Sequence, residues 1–471
     1  MLDFLNHFFR KPNISALQDD TGLSLAHDKF DQGVELLDQE DWDGAIKTFT
    51  DAIKHCSNFA NAYLLRGYAH SAKGDYDNSI LNYSEAIRLC PGSGDAHYSR
   101  GIDHCRKGDY ELAILDFGQA IRFGVDDADT FFYLGYAYQC IGDNENALIA
   151  YNDAIAIDPD DPWSYNNRGA VFQAMGDHER SLADYTKGIE LGPHHAEIHR
   201  NRGCLFSRMG NLDSAIADLN EAIWLDSEYA VAYYDRAIVY SKIPDHKRTV
   251  DDYSKAISLS PNNVDAYFNR GLAYSSLGDT KRAVRDFSKA IELDPSDPYA
   301  FFNRGVTYLS IDDFGRAISD YTEAIKLNPE LPGAFNNRGL AYLYIDKYKL
   351  AIKDFNEVLR LGKYEDMALA NRAVAYSELG SPKRTIADCT EALRINPNFA
   401  QAHYIRGHAH CERHDFRRAI ADFSKAIAIN PDHAESYHFR GIAYQKRGDM
   451  TKADADLAKA KELGYEDSDK P

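Results

Sequence analysis

Residues 267–295 read Y-F-N-R-G-L-A-Y-S-S-L-G-D-T-K-R-A-V-R-D-F-S-K-A-I-E-L-D-P, and the small residue at position 271 of this stretch returns at a fixed interval along the chain. It stands at Gly33, Gly67, Gly101, Gly135, Gly169, Gly203, Ala237, Gly271, Gly305, Gly339, Ala373, Gly407 and Gly441, a strict 34-residue step without insertion or deletion. Thirteen units follow, with boundaries at residues 26, 60, 94 and onward to 434. A fixed period of this length predicts stacked supersecondary units rather than separate globular cores. One helical hairpin cannot bury both of its apolar faces, so neighbours must stack into a continuous core.

The landmarks of the unit are an aromatic or His at position 4, Gly at 8, an aromatic or His at 11, Ala at 20, an aromatic at 24, Ala at 27 and Pro at 32. Small residues at 8, 20 and 27 let two helices cross closely, and the rings fill the space around them. The Gly-Asp pair, as in Gly74-Asp75 or Gly278-Asp279, ends a first helix A and caps a second helix B. Prolines 91, 159, 193, 261, 295, 329, 397 and 431 then stop helix B. Over residues 26–467 this pattern resembles the tetratricopeptide repeat. The expected fold class is therefore all-α: an α-solenoid of thirteen tandem helical hairpins. The resemblance implies a right-handed superhelix with helix A on its concave side.

Two internal co-variations support this register. Arg at position 7 occurs with Asp at position 23 in ten repeats, as in Arg304 with Asp320 and Arg338 with Asp354. Repeats one and four lack both residues, and repeat two sets Arg66 beside Asn82. This predicts ion pairs joining helix A to helix B of the same repeat, a scaffold feature. Ala237 and Ala373, which replace the glycine, accompany Thr249 and Thr385 at position 20 and prolines 244 and 382 in the inter-helix turn. Those two units are expected to pack at a slightly altered angle.

The informative binding position is 6, which helical geometry turns into the groove. It reads Asn167, Asn201, Asp235, Asn269, Asn303, Asn337 and Asn371 in repeats five to eleven, but Asp31, Leu65, Ser99, Tyr133, Ile405 and Phe439 elsewhere. A primary amide carries donor and acceptor together, so each Asn can bond a ligand's peptide unit irrespective of ligand side chains. Tyr234, Phe268 and Phe302, with Trp163, Tyr299 and Tyr344, are expected to add apolar contacts. The block is similar to the asparagine ladder in the tetratricopeptide superhelix of O-linked N-acetylglucosamine transferase, without that enzyme's catalytic domain. The likeness implies peptide binding, or a role beside a glycosyltransferase. A two-carboxylate clamp for chaperone tails needs cations on this face, where positions 2, 5 and 6 supply only Arg200.

The formal charge of −20, from 53 basic and 73 acidic residues, argues against nucleic acid or an anionic membrane as partner. No stretch approaches the roughly 18 apolar residues of a membrane-spanning helix. The seven cysteines are scattered and never form C-x-x-C, as expected of reduced thiols and a cytoplasmic location. No phosphate-binding, nucleophile-elbow or zinc-protease motif occurs, so neither catalysis nor a cofactor is expected. His403, His408, His410, Cys411 and His414 form one His-rich stretch, but His403 and His410 fall on the repeat's ring positions and are expected in the core. Residues 1–25 carry a short stripe of Leu2, Phe4, Leu5, Phe8 and Phe9, expected to cap the solenoid or else to make membrane contact through residues 1–11 or a dimer contact. The Lys-rich last helix B is expected to be a second cap, and residues 468–471 a tail. The function expected is a scaffold that holds an extended protein segment. The rival is an assembly subunit using its convex face and apolar ends, including Tyr133, Ile405 and Phe439.

Overall fold

The computed structural model describes residues 20–465. Among these are twenty-six α-helices and no strand, alternating as helix A and helix B of thirteen hairpins. Two compact units divide them: repeats one to six, ending at Ser227, and repeats seven to thirteen, starting at Glu228. Within each unit every hairpin packs on the next, and successive helices A approach one another where successive helices B make no comparable contact. Helices A therefore form the crowded inner wall of each stack. Helix A of repeat one begins at Asp20, six residues ahead of the boundary read from the 34-residue step. The remainder of the expected N-terminal cap or anchor, and the tail, lie outside the described residues.

Local chemistry sets the helix ends. Position 15, just past helix A, adopts a left-handed conformation in every repeat except the seventh, with Gly at eight places including Gly74 (φ 78°) and Gly278 (φ 73°). Glu40, Asp312, Asp346 and His414 adopt it without glycine's freedom. Pro244 occupies this position in repeat seven and cannot turn that way, so helix A there closes on an extended Ile243. Next comes the N-cap of helix B, where Asp279 accepts from the Arg282 amide at 3.0 Å and Asp41, Asp75, Asp143 and Asp177 do the same in their repeats. Helix B ends on an extended residue, such as Asp294 before Pro295, because a residue preceding proline avoids the helical region.

The core of each hairpin is the ring at position 24 seated on the glycine at position 8. A Cβ added to Gly305 would lie 2.9 Å from the Tyr321 ring, and one on Gly271 2.9 Å from Phe287. Where repeat eleven has Ala373, position 24 is the small, fully buried Cys389. The two threonines at position 20 satisfy backbone carbonyls: Thr249 donates to Asp245, and Thr385 stands 3.3 Å from the carbonyls of both Ser381 and Ala373.

All ten Arg-Asp pairs form within their repeats. Arg304 Nε and Nη2 each donate to Asp320 at 2.8 Å, and Arg270 holds Asp286 at 2.7 and 2.9 Å. Repeat two keeps half of this arrangement, with Arg66 Nε donating to Asn82 at 2.8 Å. The third guanidinium nitrogen reaches back to position 25 of the preceding repeat: Arg270 to Ser254 (2.9 Å), Arg304 to Ser288 (2.9 Å), Arg338 to Thr322 (3.1 Å) and Arg372 to Asn356 (2.6 Å). Each such arginine sits 16 residues after its hydroxyl or amide partner and 16 before its carboxylate, and clips two repeats together. Leu134 in repeat four has no guanidinium to offer, and the residue 16 before it is Gly118.

Candidate functional site

Asn167 and Asn201 lie on consecutive helices A of the first unit, and Asp235, Asn269, Asn303, Asn337 and Asn371 on five consecutive helices A of the second. All seven are half-buried. Their amides are tied into the wall. Asn201 Nδ2 donates to Asn166 Oδ1 of the preceding repeat (2.9 Å), Asn269 Nδ2 to the Tyr234 hydroxyl (3.1 Å) and Asn371 Nδ2 to Asn336 Oδ1 (3.2 Å). Asn167 and Asn337 each accept from the amide immediately before them, Asn166 at 3.0 Å and Asn336 at 3.1 Å. Only Asn303 differs, donating to the Tyr299 carbonyl of its own helix at 2.9 Å. This network leaves the carbonyl oxygens of Asn269 and Asn371 without a bond among the described residues.

A second layer stands behind the ladder. The Tyr151 phenol donates to Gln139 Oε1 at 2.8 Å, and burial drives its pKa far above the usual range against the opposing pull of the nearby Asn167 amide; burial raises Tyr321 in the same way, with Asn337 opposing. Tyr321 is fully buried, and its hydroxyl has no partner in hydrogen-bonding geometry. In both pairs the tyrosine at position 24 precedes the amide by 16 residues. Every repeat with Tyr at 24 (83, 151, 185, 253 and 321) is followed by Ser or Asn at position 6. This link, invisible when each repeat is read alone, gives part of the amide row a structural task.

The flanking rings pack inward. Tyr234 stands 5.6 Å from Tyr253, Phe268 5.8 Å from Phe287 and Phe302 5.9 Å from Tyr321, each on the position-24 residue of its own helix B. They are half-buried, so they offer edges rather than whole faces to a groove. Tyr299 and Tyr344 are the open rings, and Tyr344 stacks on Phe314 at 5.1 Å. The apolar residues at position 6 are not free ends. Ile405 is 7% exposed in a cluster with Ala373 and Cys389, while Tyr133 stacks on Phe117 and Phe439 on Phe423. Large rings at this position are drawn onto the neighbouring position-24 side chain. The convex face instead carries exposed Leu81, Leu115 and Ile149 at position 22 of repeats two to four, 64%, 66% and 59% exposed.

The histidines of repeat twelve are core groups. His403 is buried between the Asp422 carboxylate and the Pro397 carbonyl, each 3.2 Å away, and His410 Nε2 lies 3.9 Å from the same carboxylate. Helix A ends at Glu412, so His414 sits in the left-handed turn and not on a helical face with His403 and His410. No helix among the described residues is long and apolar enough to cross a membrane.

Family models for the tetratricopeptide repeat match residues 264–297, 298–331 and 400–433, residues 30–94 and 167–232, and residues 332–361 and 434–463. A TPR-repeat model also matches 141–176 and 249–278, so well over half of the sequence is covered. The chain is a tetratricopeptide repeat protein. Proteins of this family are generally non-catalytic scaffolds that bind protein or peptide partners. No curated protein matches the chain. Among solved structures it is similar to YrrB, described as a TPR protein with an unusual peptide-binding site, at 24% identity over 38% of this chain and 92% of that one (TM-score 0.33). It is also similar to a chain of the APC/C hetero-tetramer Cut9-Hcn1 (15% identity, 91% and 97% covered, TM-score 0.43) and to yeast Tom70 (16%, 93% and 96%, 0.34). At these TM-scores the neighbours say nothing of what this tetratricopeptide repeat protein binds.

Proposed function

We propose that this tetratricopeptide repeat protein is a cytoplasmic, non-enzymatic scaffold that captures an extended protein segment along its helix A wall. The observation that carries the reading is the row of polar side chains at position 6: Asp235 and the four amides Asn269, Asn303, Asn337 and Asn371 on consecutive hairpins of the second unit, with the amides Asn167 and Asn201 in the first. Bonds to position 5 of the preceding repeat or to the adjacent residue orient most of these amides in advance, which lowers the ordering cost of binding. A row of amides repeated at one pitch recognises main chain, as in the asparagine ladder this block resembles. Tyr234, Phe268 and Phe302 supply apolar edges beside it.

Asn303 is the discriminating residue, because its amide bonds only its own helix and its loss leaves the neighbouring repeats tied. Asn303→Ala, alone and with Asn269→Ala and Asn337→Ala, should reduce retention of extended peptides from a random-sequence library while circular dichroism stays unchanged. Backbone N-methylation of retained peptides should lower their affinity in wild type. Equal retention by the triple variant, or indifference to N-methylation, refutes main-chain reading by the ladder.

A second reading, an assembly subunit, is favoured by the exposed ridge of Leu81, Leu115 and Ile149 on the convex face of repeats two to four. Three large apolar side chains in register on successive hairpins are the kind of patch that marks a contact surface.

A further inference from the structure

Basic groups that look dispersed along the sequence come together once the hairpins stack. Positions 13–19 of each repeat form the turn between helix A and helix B, and stacking lines these turns up along one edge of each unit. In repeats seven to thirteen the edge holds sixteen Lys and Arg against nine Asp and Glu, and in repeats one to six five against thirteen. A chain of net charge −20 thus keeps a basic edge in its second unit and an acidic edge in its first.

Position 18, in the first turn of helix B, shows the division most sharply. It is Asp43, Asp77, Glu111, Glu145, Glu179 and Asp213 in the first unit. In the second it is Lys247, Lys281, Gly315, Lys349, Lys383, Arg417 and Thr451, and none of those seven helices has an acidic residue in its first turn. Acidic side chains at a helix N-terminus are favoured by the helix dipole and basic ones opposed. The second unit therefore sets its cations against local stability at five of seven repeats, a choice that folding does not explain.

These charges are available. Lys247, Lys281, Lys349, Lys383 and Arg417 are exposed and have no ion-pair partner among the described residues, and the same holds for Glu111, Glu145, Glu179 and Asp213. Asp43 and Asp77 are held by Lys73 and Lys107 of the following repeats. Both rows step by one 34-residue hairpin, the basic row missing a charge at Gly315 and Thr451, so the acidic row matches the basic row in pitch and opposes it in sign. Four neighbouring arginines at position 19, Arg248, Arg282, Arg316 and Arg418, are paired with N-cap aspartates, which sets carboxylates into the basic edge. Interspersed carboxylates repel a phosphate backbone and suit a protein surface.

We infer that the basic edge of repeats seven to thirteen docks the acidic edge of repeats one to six of a second copy of this chain. A single exposed ion pair contributes little, so the contact depends on several aligned pairs acting together and weakens with salt.

Sedimentation of the full chain reads this directly. Wild type should run as a multimer at low salt and as a monomer above physiological salt. Reversing the basic row (Lys247→Glu, Lys281→Glu, Lys349→Glu, Lys383→Glu, Arg417→Glu) should leave a monomer at low salt, as should reversing the acidic row (Glu111→Lys, Glu145→Lys, Glu179→Lys, Asp213→Lys), both with wild-type circular dichroism. Mixing the two variants restores one acidic and one basic partner and should return a multimer. A monomeric wild type at low salt overturns the inference, as does a multimer that survives either reversal or a mixture that stays monomeric. A monomeric wild type retained by polyglutamate or by duplex DNA overturns it too, and assigns the edge to a different acidic partner.

Discussion

Asp320→Ala strands a guanidinium that the fold has otherwise satisfied on three sides. Arg304 loses two bonds of 2.8 Å and keeps only Ser288 of the preceding repeat. Removing one partner of a buried ion pair costs about 3–5 kcal/mol, and the 19% exposure of the Arg304 side chain, through which water can reach it, places this site near about 3 kcal/mol. Repeat four shows the alternative inside the same chain, with Leu134, Ala150 and Gly118 where the clip would be. Copying that apolar version as Arg304→Leu, Asp320→Ala and Ser288→Ala should cost about 1 kcal/mol or less, because no charge is left buried. Solenoids need not unfold in one step, so the assay is native-state hydrogen exchange of the helix amides in repeat nine. Asp320→Ala should speed local exchange by about a hundredfold, at roughly 1.4 kcal/mol per tenfold, and the triple variant by about fivefold or less. A triple variant that exchanges as fast as Asp320→Ala refutes the view that the cost lies in a stranded charge.

Three further outcomes follow from the geometry. Asp312→Gly with Asp346→Gly relieves two left-handed residues and should stabilise the chain by about 0.5–1 kcal/mol each, read as a higher thermal midpoint; an unchanged midpoint refutes strain at position 15. Two of the buried histidines, His410 in repeat twelve and His199 in repeat six, should respond to pH with opposite sign. Burial holds His410 below its usual 6.5, so as pH falls through 6.5 the unfolded chain binds a proton that the folded chain resists, and stability drops. Burial likewise opposes the charge on His199, but Asp218 and the Pro193 carbonyl outweigh it and raise this pKa; its stabilising contribution is complete below 6.5 and is lost as pH rises through the folded value. Melting across this range should therefore show His410→Tyr and His199→Tyr shifting the pH slope in opposite directions, and shifts of one sign refute the assignment. Lastly, Leu81→Ser with Leu115→Ser and Ile149→Ser removes only exposed apolar surface and should leave the thermal midpoint within about 1 °C per substitution; a large fall shows that the ridge is packed against something.

The hairpins, their caps and the Arg-Asp pairs are legible in the sequence because each repeats within a single 34-residue frame. Gly278-Asp279 announces a turn, and Arg304 with Asp320 announces a pair, within one repeat. Features that join one repeat to the next are not found that way. The Arg304 to Ser288 bond and the Asn201 to Asn166 bond each span a repeat boundary, and only the stacked structure shows that position 25 and position 7, or 5 and 6, are neighbours. The opposed edges escape for a related reason: Lys247 and Lys281 are far apart along the chain yet occupy equivalent sites on adjoining hairpins. The rings chosen for the groove, Phe268 and Phe302, prove to lean on helix B, because an apolar side chain at position 5 gains more from covering the position-24 ring than from facing water.

The arginine clip also bears on how the chain is made. A ribosome releases the N-terminal repeats first, so the growing end is always a hairpin awaiting its successor. Since each of the ten paired guanidiniums meets its carboxylate within its own 34 residues and borrows only a hydroxyl or amide from the repeat already finished, the ion pair is complete as soon as its hairpin closes. What the exposed end then offers to the next arginine, a Ser288 or a Thr322, is neutral and at ease in water, so synthesis can pause there without leaving an unpaired guanidinium behind.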